Sequence, residues 1–72
     1  MIYVCKTEHT KTGETHVFRT VYDFNVGDIV YPWHLQSKYP GHNENRHRVL
    51  VCVPLDKLTT SQQLQLFGQA SV

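Results

Sequence analysis

The chain has little net charge, few cysteines and no long hydrophobic run, and each shortage removes a class of function. Seven Lys and Arg stand against six Asp and Glu, a formal net charge of +1 over 72 residues. That is too small for a partner held by bulk electrostatics, because domains that bind phosphate backbones carry a clear basic excess. The two cysteines, Cys5 and Cys52, lie far apart inside apolar runs, so no CxxC-type ligand pair exists. They read as reduced core residues in a cytoplasmic protein, with a bridge between them left open. The longest uninterrupted apolar run, Val49-Leu50-Val51-Cys52-Val53, is far shorter than the about 20 residues a membrane helix needs. The start, Met1-Ile2-Tyr3-Val4, lacks the basic flank and the length of a signal peptide. No membrane association is expected.

What remains fits one small β-rich domain spanning 1–72. Hydrophobic residues make up 40% and charged residues 18%, an ordinary globular balance, although so short a chain buries only about 60% of its unfolded surface and its core is thin. Met1 to Thr7 is dense in β-formers and leads through the polar stretch Glu8 to Glu14 to an alternating segment, Thr15 to Tyr22. These predict a hairpin closed near Gly13. In Gly27-Asp28, glycine is suited to positive φ and aspartate to accepting local backbone N–H groups. Ile29-Val30-Tyr31 is then a third strand, ended by Pro32, which has no N–H for a ladder. A polar loop from His34 to Arg46 precedes the fourth and most apolar strand, Arg48 to Val53, expected to be central. Thr59 and Thr60, each three residues before a glutamine, mark a helix start, and Gly68 marks its stop. Leu64 and Phe67 share a face and are the expected docking contacts. Gln69 to Val72 reads as a frayed tail.

The segment Phe24-x-Val26-Gly27-Asp28-Ile29-Val30, placed in this order of strands, resembles the strand entry of SH3-like small barrels, among them the KOW, Tudor and chromatin-reader domains. The chain lacks the further glycine of the KOW pattern and the set of aromatics that forms a methyl-lysine cage. The resemblance implies a small SH3-like barrel or a twisted antiparallel sheet of about four or five strands with a short C-terminal helix. It also implies binding through loops, by analogy of fold.

Four constellations could carry chemistry. The loop after the third strand holds Tyr31, Trp33, His34, Lys38, Tyr39, Arg46 and Arg48, residue types that anchor interfaces and make forked contacts to carboxylate or phosphate. Against this, the rings could pack over one end of the sheet and the charges could be ordinary solvated ones. The histidines His9, His16, His34, His42 and His47 include no tight ligand pair such as HxH, and no bound metal is expected. Cys52 with His47, or Ser37 with His34 and Asp28, could form a nucleophilic set only through space, and nothing singles them out. Asp23 and Asp28 flank a turn that accounts for them.

The expectation is a non-enzymatic module without cofactor that binds and modulates or inhibits a larger protein. Tyr31, Trp33 and Tyr39 are the aromatic anchors, and Arg46 and Arg48 the charged contacts, with His34 and Lys38 beside them. Its size suits a small accessory or inhibitory protein of the kind phages and mobile elements carry. The alternative is a nucleic-acid-binding barrel using the same loop, and an unpaired edge near Pro32 leaves homodimerisation open.

Overall fold

The computed structural model describes residues 1–69, and of the expected tail, Gln69 to Val72, all but Gln69 lies outside them. Four antiparallel strands, β1 (Tyr3–His9), β2 (Thr15–Thr20), β3 (Ile29–Val30) and β4 (His47–Pro54), form one sheet in the order β2-β1-β4-β3. A helix, α1 (Thr60–Phe67), follows. The sheet curls into an open half-barrel, the mainly-β class expected. The curl shows in its side chains. His16 on β2 and His47 on β4 are separated by β1, which is two strand spacings or roughly 9.5 Å in a flat sheet, yet their ring centroids are 5.5 Å apart.

The register decides which residues face inward. Cys5 is paired with Phe18 and Cys52, Thr7 with His16 and Val49, and His9 with His47, which in turn faces Val30. Between Lys6 and Thr7 the pairing with β4 slips: Lys6 faces Val51 while Thr7 faces Val49. Leu50 is therefore an extra residue, a β-bulge that reverses the alternation of β4. Before it, His47 and Val49 point inward, and after it Cys52 does. Val4, the partner of Val53 on the other face, is completely buried as well, so β4 is apolar throughout because both faces of the central pair are covered.

The turn signals act as their chemistry demands. Gly27 has φ +94, and Asp28 Oδ2 accepts the Asn25 N–H at 2.9 Å. The turn is then laid on β4 through Gly27 N–H to Val49 O at 2.8 Å and Val49 N–H to Asp28 O at 2.9 Å, which positions β3. At α1, Thr59 and Gln62 form a reciprocal capping box, and Gly68 closes the helix in the left-handed region at φ 71. Phe67 is buried, but Leu64 is 51% exposed. Of the two expected docking residues, Phe67 is therefore the one the fold buries, and Leu64 stays half in solvent. No helix among the described residues is long and apolar enough to cross a membrane.

Candidate functional site

The loop between β3 and β4 is ordered by two short 3-10 turns, Trp33–Leu35 and His42–Glu44, and it divides into a part that plugs the half-barrel and a part that stays outside. The plug is Tyr39 with Asn45. Tyr39 stacks on His9 at 4.1 Å between centroids and meets His16 and His47 edge-on at 5.6 and 5.2 Å. A 2.8 Å hydrogen bond joins its hydroxyl to His16 Nε2, and burial holds that hydroxyl above its ordinary range. Tyr39, expected as an exposed anchor, is therefore a core residue.

The histidines of this core are fixed by donors and acceptors. His9 Nδ1 accepts from the Lys11 and Thr12 backbone N–H groups, so its other nitrogen, Nε2, donates to Glu44 O at 2.6 Å. Asn45 gives its Nδ2 to Pro32 O at 2.7 Å, so its Oδ1 accepts from His47 Nε2 at 2.9 Å. Among the described residues, His47 Nδ1 and Thr7 Oγ1 are buried without a hydrogen-bond partner. A protonated His47 would carry a second N–H with nowhere to donate. Desolvation, followed by the neighbouring His9, His16 and His34, pushes its pKa down to about 4, and desolvation lowers His16 as well. His9, His16 and His47 thus meet as packed rings. His34 and His42 go elsewhere, onto Phe18 at 5.0 Å and Tyr31 at 4.0 Å. Among the described residues no group of three His, Cys, Asp or Glu is arranged to hold a metal ion.

The outer part of the loop forms one wall of a groove of about 200 Å³. Tyr31, Pro32, Trp33 and His34 face Phe18, Arg19 and Thr20 of β2, with Val30 and the Tyr22 and Phe24 rings completing the lining. Both edge strands of the open sheet contribute, so the groove is the seam at which the half-barrel fails to close. Trp33 is 79% exposed, Tyr22 65% and Tyr31 40%. The Tyr22 and Phe24 rings lean together at 5.7 Å.

Of the residues expected at the site, Tyr31, Trp33 and His34 come together here. Lys38 does not: its ammonium is ion-paired with Glu14. Arg46 and Arg48 are exposed outside the groove, Arg48 on the opposite sheet face beside Glu8 and Ile29. Neither imagined nucleophilic set is joined by a hydrogen bond, since His47 Nε2 is committed to Asn45 and Asp28 to its turn. Phe18, Tyr22 and Phe24 are lining residues that sequence reasoning missed. Their signal was present, as three aromatics just upstream of the Gly-Asp turn. No family model matches the chain, and no curated protein or solved structure matches it either.

Proposed function

We propose that the protein is a small non-enzymatic binding module whose seam receives an extended segment of a larger protein, which it thereby modulates or inhibits. The observation that carries this reading is that both sheet edges line one aromatic groove in which Trp33 is 79% exposed. Isolated exposed apolar residues are common, but a contiguous set of Trp and Tyr rings beside an arginine is the composition of an interface hot spot. Among the described residues β2 is paired on one side only, and an edge strand accepts an added strand through its outward N–H and C=O groups. The half-barrel gives such a segment a backbone partner and side-chain pockets in the same place.

A protein partner is favoured over nucleic acid because the cations that would track phosphates do not converge. Lys38 is paired with Glu14, and Arg46 and Arg48 lie outside the groove. The non-enzymatic reading rests on the lining, which among the described residues includes no carboxylate and no cysteine.

Panning displayed random peptides against the immobilised protein tests the proposal. The expected ligands carry apolar or aromatic anchors at alternate positions, as an added strand requires, and Trp33→Ala lowers their affinity at least about tenfold. Failure to select peptides, or selection of peptides that the Trp33→Ala variant binds equally well, overturns the reading. Retention of an oligonucleotide pool with affinity that falls steeply with salt supports the nucleic-acid alternative instead.

A further inference from the structure

We propose that Cys5 and Cys52 form a redox-active dithiol, which a low-molecular-weight disulfide such as oxidised glutathione closes into a cross-strand bridge between β1 and β4. The two residues are direct partners in the central strand pair, so their side chains leave the sheet side by side on one face. Both are free thiols, and their Sγ atoms are 2.7 Å apart. That is about 0.7 Å longer than a disulfide bond and closer than two unbonded sulfurs ordinarily pack. Closing the bond requires no rearrangement of the register.

Burial divides the labour. Cys5 is completely buried and Cys52 half-buried, so Cys52 meets the oxidant first. Its thiolate attacks the small disulfide RSSR, forming Cys52–S–SR and releasing one RS⁻. The Cys5 thiolate then attacks Cys52 Sγ, forming the Cys5–Cys52 bond and releasing the second RS⁻. Two protein thiols lose two protons and two electrons, and RSSR is reduced to two RSH. Desolvation, together with contact to the Cys52 sulfur, holds the Cys5 thiol far above its ordinary range, so the second step is slow at neutral pH and accelerates as pH rises. The bridge spans 47 positions of sequence, a long loop of the kind whose closure most restricts the unfolded chain. It also adjoins the groove. Phe18 is the β2 partner of Cys5, the Tyr22 carbonyl lies 3.7 Å from Cys52 Sγ, and both residues are part of the lining.

The test equilibrates the purified protein in glutathione buffers, traps remaining thiols with iodoacetamide and records intact and tryptic masses. The expected product has lost two hydrogens, carries no glutathione, and yields one linked pair of peptides, residues 1–6 joined to residues 49–57. Cys5→Ser is expected to retain glutathione on Cys52. In denaturant the closure constant should fall roughly 30-fold or more, reflecting the pre-alignment that folding supplies. A glutathione adduct that persists on wild-type Cys52, alkylation of both cysteines in every buffer, or equal closure in folded and denatured protein overturns the proposal. Should Cys5→Ser not fold, the wild-type masses and the ratio of folded to denatured closure decide it.

Discussion

The molecule uses two clusters of aromatic rings, supplied partly by the same loop, in opposite ways. Tyr39 and three histidines fill the hollow of the sheet, with His47 completely buried and Tyr39 nearly so. Trp33, Tyr31 and Tyr22 stand on the rim, 40% to 79% exposed. The buried cluster is polar by composition but is held by a chain of directed hydrogen bonds from His47 through Asn45 to Pro32 O. The exposed cluster is made of rings that touch neighbours on one side only, Tyr31 against His42 and Tyr22 against Phe24, and leave the rest of their surface to solvent. The difference teaches that residue type did not decide the assignment; available partners did. A buried histidine is tolerable where one ring nitrogen finds an acceptor and neither is charged, whereas an exposed tryptophan gains its burial from something else.

The two clusters should therefore respond to mutation in opposite senses. The largest effect is expected for His47→Ala, which opens a cavity beside Tyr39 and leaves Asn45 Oδ1 without its donor. The expected loss is about 3 to 4 kcal/mol of folding stability, measured by urea unfolding. A loss below about 1 kcal/mol would mean that the rings in the hollow are filler rather than core.

Acid should reach the same cluster without mutation. His47 has its folded pKa depressed by desolvation to about 4 from its ordinary value of 6.5. The unfolded state therefore takes up protons first, and the contribution of a neutral His47 is complete above about pH 6.5 and lost as pH falls towards 4. One such shift corresponds to about 3 kcal/mol, with His16 acting in the same direction. Glu14 and Glu44, lowered by their lysine partners from 4.5, act only below that value, so the window between about 4.5 and 6.5 belongs to histidine. A urea midpoint that stays flat across that window would break the comparison, because both ring clusters would then be indifferent to charge. Asn45→Ala is a milder probe of the same chain. It strands the Pro32 carbonyl and the His47 Nε2–H together and is expected to cost about 2 kcal/mol by the same measurement, with a near-neutral result showing that the chain is incidental.

The sequence conveyed the elements that local chemistry dictates and missed those that depend on partners. The Gly27-Asp28 turn, the Thr59–Gln62 capping box and the Gly68 stop are as read, because each is decided by residues within a few positions of one another. β1 was expected to end at Thr7 but runs to His9. Glu8-His9-Thr10 looks like a polar turn until Tyr39, thirty positions on, covers the His9 ring. Tyr39 itself carries the same composition signal as Tyr31, and only its placement over three histidines removes it from the surface. The bulge at Leu50 left no signal in an all-apolar run. At the groove, Tyr31, Trp33 and His34 were legible from their position on either side of Pro32. The facing wall from β2 was not, since it follows from the curl.

The smallest stability effect should come from the residue with the largest binding effect. Trp33 is 79% exposed, so Trp33→Ala removes little area that folding has withdrawn from water, and its unfolding free energy should stay within about 0.5 kcal/mol of wild type. The same substitution is the one expected to abolish most of the affinity for an extended ligand. The pairing of these two outcomes is what distinguishes a recognition surface from an extension of the core: core rings contribute to folding before any partner arrives, whereas rim rings contribute only when one is present. If Trp33→Ala instead lowers stability by more than about 1 kcal/mol, the groove belongs to the fold in the way the Tyr39 cluster does, and the seam of the half-barrel is closed from within.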